Sequence, residues 1–425
     1  MSNSKTAIDL AAKAEFLQDF VEQHLVDEHG IIYSAINTAT MQPWQAEDLS
    51  PEDEFIPVEN YAPWDIINYE NCGMTTGAYL AAMTFKAKAS GRPCQCAGRS
   101  FNALKRIYDI GSRKEAGFFP KIYGGRFTGQ TSSDQYLYSL KAMMLYLEIT
   151  PCETEKTEIR NMVSKMVDYW VKRKYCHDYY NIKQMQWKHA RFLPFLLMAW
   201  KATGNEKYLQ EFNRLNESEK IYLKPPVDSR LEAFLNGDIA MTDYEKRHGN
   251  RYVIAHFAET STMDIMGFDE CLTISGKYRA HWLNSMRRSW QEGKTALTDD
   301  GLEYVKILYD VKTGKASPIE QPQLIPGNDG LDWSYSRWIA NMRTSKSCML
   351  ARAGISVATW LPEEHTMDTT VKILSELSLE NMRWIIVDEA ENILPQHKFM
   401  TRIFCSDAIV NWLWAYWQAK ALKLL

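Results

Sequence analysis

The chain has 425 residues and a formal net charge of −4, so its bulk electrostatics give neither nucleic acid nor an anionic membrane surface anything to hold. Apolar residues make up 45%, enough for a large core, and no run of about 18 apolar residues marks a membrane span. Eight scattered cysteines without a CxxC pair argue against a disulfide scaffold and fit a reducing compartment; the opening segment is amphipathic, not an apolar signal core, so a cytoplasmic location is expected.

Leu10, Ala14, Leu17 and Val21 recur at helical spacing and predict a first helix over 5–29. A second helix is expected to begin at Pro63-Trp64-Asp65 and to run through Ile67, Met74, Ala78 and Phe85 to Gly91. Pro93 opens a third, with Phe101, Leu104 and Tyr108 on one face. A glycine-rich loop, 117–129, leads into Thr131-Ser132-Ser133-Asp134, good N-cap chemistry for a fourth helix carrying Tyr136, Leu140, Met143 and Leu147. Ile159, Met162, Val163, Met166 and Trp170 mark the fifth. The sixth is expected over 181–203, kinked at Pro194, and a seventh follows Gly204. Further helices are read at 252–268, 270–293, 334–360, 363–383 and 405–424, with short strands near Ile31–Ser34 and Tyr304–Tyr309.

The joins alternate between tight turns and long loops. Lys88-Ala89-Ser90-Gly91 and Lys201-Ala202-Thr203-Gly204 are nearly the same turn. Antiparallel neighbours then put all tight turns at one end and all long loops at the other. About twelve helices in this alternation imply an all-α fold, an (α/α)6 toroid of six helical hairpins with minor β structure in the loops, built by residues 1–425 as one repeat domain. The even helices start at the long-loop end, so their amino-terminal dipoles converge on one pocket.

The starts of the even helices supply the candidates. Asp134, Asp65, Glu70 and Asp332 are carboxylates for acid–base work, and His189 is an ionisable alternative. Trp64, Tyr69, Tyr180, Trp187 and Trp333 offer faces on which sugar rings stack, and Arg126, Gln135, Lys188, His256 and Arg337 offer polar contacts. Plainer readings stand beside these: Asp134 as an acid complementing a helix dipole, Asp332 as a turn residue, His189 as a satisfied packing residue. Other signals fail. The phosphate-loop spacing of 124–131 has Gln130 where the lysine belongs, Ile385-Ile386-Val387-Asp388-Glu389 lacks a nucleotide-binding partner, and no HExxH or GxSxG motif is present. Nothing local calls for a metal or a cofactor.

Two stretches resemble a known family. Asp134-Gln135-Tyr136-Leu137-Tyr138-Ser139-Leu140 is similar to a helix of the six-hairpin glycosidases, nearest the unsaturated glucuronyl and rhamnogalacturonyl hydrolases, that bears one of their two active-site aspartates. Leu193-Pro194-Phe195-Leu196, followed by Ala202-Thr203-Gly204-Asn205-Glu206-Lys207-Tyr208, is similar to the helix and turn just after the other. The resemblance implies the toroid and a sugar substrate, and it carries Asp134 over as a catalytic acid or base. It does not carry over the family's principal aspartate, because this chain reads Trp187-Lys188 at that place. The expectation is therefore a glycoside hydrolase on a small oligosaccharide, one with a uronic acid among the options. A sugar epimerase or isomerase of the N-acylglucosamine epimerase type, moving its proton through His189 and His256, or a uronide lyase with a His or Tyr base, is the alternative, and a non-catalytic carbohydrate-binding toroid the third. Association into a homo-oligomer is left open.

Overall fold

The computed structural model describes residues 3–53, 60–179, 182–186, 189–218, 252–255, 257–274, 276, 278–298, 300–302, 307–310, 313, 315–318, 343–382, 399 and 402–425. Among them twelve helices form the ring: α1 (Asn3–Phe20), α2 (Cys72–Ser90), α3 (Gln95–Ser112), α4 (Ser133–Leu147), α5 (Glu153–Lys172), α6 (Leu193–Thr203), α7 (Glu206–Ser218), α8 (Phe257–Leu272), α9 (Arg279–Thr295), α10 (Arg343–Trp360), α11 (Thr366–Glu376) and α12 (Ser406–Ala421). The even helices pack on one another in the order α2, α4, α6, α8, α10, α12 and back to α2, and the odd ones lie outside them. This closed double ring is the toroid expected from the alternation of joins. One apolar cluster runs through it from Leu10 to Ala419.

The tight joins explain themselves. Gly91 after α2 and Gly204 after α6 are both left-handed, at φ 66° and 67°, a conformation that lets each helix end within one residue. The repeated turn sequence thus has one backbone cause. Among the described residues the long-loop pole carries nine short strands. β1 (Ala35–Asn37) pairs antiparallel with β9 (Ile403–Cys405), tying the first loop to the last inner helix. β2 (Ile122–Tyr123) and β3 (Arg126–Phe127) form a hairpin through Gly124 and Gly125, both at positive φ. β4 (Cys176–Tyr179) pairs with β5 (Ile182–Gln186), and β6 (Tyr252–Ala255), β7 (Ile307–Asp310) and β8 (Lys315–Pro318) make a small sheet.

Several boundaries differ from the sequence reading. The first helix ends at Leu25, not at 29, because the Asp27 carboxylate accepts the N–H groups of His29 and Ile31 and turns the chain. The second is two pieces, a short helix Pro63–Tyr69 and α2. Ser34 inserts at the break: its N–H takes the Asn68 carbonyl at 2.7 Å and its hydroxyl accepts the Asn71 N–H at 2.6 Å. The expected helix over 181–203 is strand β5, a 3-10 turn (His189–Phe192) and α6. Pro194 therefore stands in the first turn of α6, where its missing N–H costs nothing, and there is no kink. Strand β6 likewise replaces the start of the helix read at 252–268, which begins instead at Phe257, and the one read at 270–293 starts at Arg279. The strand expected near Ile31–Ser34 begins four residues later, at β1, with only an isolated bridge at Ile32, while that near Tyr304–Tyr309 appears as β7.

Candidate active site

The inner face of α4 sets the geometry. Tyr138 is fully buried, and its ring meets Trp414 of α12 edge-on at 5.9 Å. Arg352 of α10 donates to the Tyr138 hydroxyl at 3.3 Å and to the Thr262 carbonyl of α8 at 3.4 Å, its guanidinium lying over both the Tyr138 and Trp414 rings. In the ring order α4 and α10 are opposite, so this contact crosses the axis. Burial pushes the Arg352 pKa down, and among the described residues no carboxylate reaches it within ion-pair distance. Three residues further along α4, Lys141 pairs with Asp269 at 3.1 Å and Glu270 at 2.8 Å of α8. Lys201 of α6 also pairs with Glu270, and Trp360 of α10 donates to Asp269 at 2.9 Å. The middle of the ring is thus filled by aromatics around a cation, and its tight-turn end by a charge network.

Asp134 stands on the same face of α4, one turn above Tyr138 and about 6 Å nearer the long-loop pole. It is half-buried between buried Ser133 and Gln135, in the first turn of the helix. No hydrogen bond or ion pair engages its carboxylate among the described residues. Helix α12 repeats the pattern. Asp407, Asn411 and Trp414 share one face, which places Asp407, 4% exposed, two turns above the Trp414 ring.

The other candidates from the second helix are committed elsewhere. Asp65 accepts from Arg126 at 2.9 Å, and Arg126 also covers the Tyr61 ring. The same carboxylate presses on the hairpin turn, where a Cβ on Gly124 would come within 2.6 Å of it. Glu70 accepts from Lys121 at 2.6 Å and from the Tyr123 hydroxyl at 2.9 Å; Lys121 is 2% exposed. Tyr69 donates to Asp27 at 3.2 Å and meets Tyr33 edge-on; burial, then Tyr33 and Asp27, push its pKa well up. Trp64 packs into a small cluster under the loops with Trp44, Phe399 and Ile403. Gln135, read as a substrate contact, is fully buried. Its Oε1 accepts the Met74 N–H at 3.1 Å and its Nε2 donates to the Glu70 carbonyl and to Asn71, so it fastens the start of α2.

Tyr180, Trp187, Lys188, His256, Asp332, Trp333 and Arg337 lie outside the described residues, and so does the His189 side chain. Beside them the structure shows groups that sequence reasoning missed. Arg191, in the 3-10 turn before α6, faces Asp264 of α8 at 3.7 Å with both side chains buried. Tyr138 and Arg352 were legible in principle: one is four residues after Asp134, the other a lone cation inside the apolar run of α10. His177 is buried and neutral in kind. Its Nδ1 accepts from the Tyr169 hydroxyl at 2.7 Å, its Nε2 donates to the Gly129 carbonyl at 3.2 Å, and burial lowers its pKa. It anchors the loop that delivers Asp134. Among the described residues no cluster of three His, Cys, Asp or Glu side chains is placed to hold a metal ion.

Solved structures share this architecture over nearly their whole length. An alpha-amylase from Clostridium perfringens aligns with a TM-score of 0.51 at 12% identity, over 96% of this chain and 97% of that one. An unsaturated glucuronyl hydrolase specific for heparin gives 0.52 at 10% identity, over 99% and 98%. The chain has the six-hairpin (α/α)6 toroid fold. A cellobiose 2-epimerase from Bacillus thermoamylovorans shares that toroid too, at 0.52 and 10% identity over 97% and 98%, so hydrolysis and epimerisation both occur on it. No family model matches the sequence, and no curated protein matches it.

Proposed function

We propose that this chain is a glycoside hydrolase acting on a small oligosaccharide, with Asp134 as one of two carboxylates that protonate the glycosidic oxygen or activate water. One observation carries this reading. Asp134 has no partner among the described residues, stands half-buried at the positive end of an inner helix, and shares the face of α4 that Tyr138 turns to the axis, at the pole where the long loops gather. The acids beside it in the sequence reading, Asp65 and Glu70, are neutralised by Arg126 and Lys121. The second carboxylate is then Asp407 on the axial face of α12, or Asp332. Arg126 is spent on Asp65, so a sugar carboxylate would have to be met by Lys188 or Arg337, and a neutral sugar fits the described residues better.

Asp134→Asn is the test, assayed on aryl glycosides, neutral oligosaccharides and oligouronides. Loss of about 10²- to 10⁴-fold in turnover is expected. Undiminished turnover in a folded variant removes Asp134 from the mechanism. Uptake of solvent deuterium into an uncleaved sugar would replace hydrolysis by epimerisation.

A further inference from the structure

Cys94 and Cys96 stand at the tight-turn pole, on the side of the ring away from Asp134, and the proposed hydrolysis makes no use of them. Cys94 is the N-cap of α3, extended at φ −114° and ψ 111°, and Cys96 lies in the first turn. Their thiols neighbour each other across one intervening residue, and the N–H groups of Cys96 and Ala97 lie close to the Cys94 sulfur, the Ala97 N–H donating to the Cys94 carbonyl at 3.1 Å. Both side chains are partly exposed. The surrounding charges are asymmetric. Lys86 of α2 is the cation near Cys94, while Glu22, in the π-helical turn Val21–Leu25 after α1, is the carboxylate near Cys96. Lys86 is itself paired with Glu15, and Glu22 with Arg99 of α3 and the Tyr79 hydroxyl of α2; Gln18 of α1 lies 4.0 Å from the Cys96 sulfur.

Four of the remaining cysteines, Cys72, Cys271, Cys348 and Cys405, are buried, and Cys152 is exposed. Burial pushes those four thiols up, and it also raises Cys176, which is only partly covered. Cys94 goes the other way, down to about 6: the Cys96 thiol is the largest cause, opposed by burial and helped by the two N–H groups and Lys86. A lowered pKa favours the thiolate of Cys94, and thiolate character with access governs oxidation. Two residues apart at a helix start, the Cα atoms stay within the roughly 4.4–6.8 Å that a disulfide spans.

We propose that Cys94 and Cys96 form an oxidisable dithiol, a modification site at which hydrogen peroxide closes a reversible disulfide within the chain. The Cys94 thiolate attacks one peroxide oxygen, the O–O bond breaks, and hydroxide leaves with Cys94 as a sulfenic acid. Cys96 then attacks the Cys94 sulfur, the S–O bond breaks, and the departing hydroxide takes the Cys96 proton. The two thiols lose two electrons and the peroxide becomes two waters.

The full-length chain, reduced and then treated with peroxide, tests this by peptide mass mapping. The peptide holding both residues is expected to become about 2 Da lighter and to regain that mass with dithiothreitol. Cys96→Ser should leave Cys94 as a sulfenic acid that dimedone captures, and Cys94→Ser should abolish both products. Before oxidation, iodoacetamide at pH 7 should label Cys94 about tenfold faster than Cys152, the exposed internal control. The proposal is overturned if the treated, folded chain keeps both thiols free, if Cys94 links to a second chain instead, or if it is labelled no faster than Cys152.

Discussion

At the start of α4 a carboxylate with no partner among the described residues stands beside an amide with three, and the two side chains point in different directions. Asp134 is turned toward the axis, and Gln135 is turned into the seam between α4 and α2. Their substitutions should separate cleanly. Gln135→Leu leaves the Met74 N–H buried without its acceptor and is expected to cost about 1–3 kcal/mol, read as a lower urea midpoint with an unchanged slope. Asp134→Asn breaks no hydrogen bond or ion pair among the described residues and should change stability by no more than about 0.5 kcal/mol. If both variants lose activity, only the Gln135 variant should regain part of it on cooling or with a stabilising osmolyte, because its defect lies in folding and not in chemistry. A large stability loss for Asp134→Asn would mean that its carboxylate is structural.

Helices and turns were legible wherever their cause lay within a few residues. The two left-handed glycine turns, the N-terminal prolines and the apolar faces of α1 and α5 are local facts, and they were enough to predict the ring. What was not legible depends on distant partners. The break before α2 is made by Ser34, 37 residues away from Asn71, and the role of Gln135 is set by Met74, 61 residues away. The strand preceding α6 exists because it pairs with β4, which no helical period reveals. Close helix packing is another such case, and Gly77 in the middle of α2 shows it. A Cβ there would meet the backbone of α4 at 2.9–3.1 Å, at Tyr138 and Ser139. Helix propensity alone favours Gly77→Ala by about 1 kcal/mol. Backbone cannot move aside as a side chain does, so α2 and α4 must separate, at about 1–3 kcal/mol. The net effect is expected to be destabilising. A melting temperature above that of the parent chain would show that the seam has slack.

The two poles of the ring are built from different chemistry, and acid separates them. At the tight-turn pole Glu270 holds Lys141 and Lys201 together, and Asp269 ties the same lysine to Trp360, so four inner helices share one network. Burial by itself would raise the Glu270 pKa, but the two lysines outweigh it and hold it at about 2; Lys141 is raised in return. The folded pKa is below the unfolded one, so the stabilisation is complete above about pH 4.5 and is lost as pH falls through about 2. Glu270→Gln leaves a buried ammonium short of its counter-charge and is expected to cost about 3–5 kcal/mol at pH 7. Between pH 4.5 and 2 the parent chain surrenders that advantage, and the denaturation midpoints of the two proteins should converge. A difference that stays constant across this window would mean that the variant suffers from packing and not from charge. A difference that vanishes places the charge anchorage of the four inner helices at the closed pole, away from Asp134, whose carboxylate has no partner among the described residues.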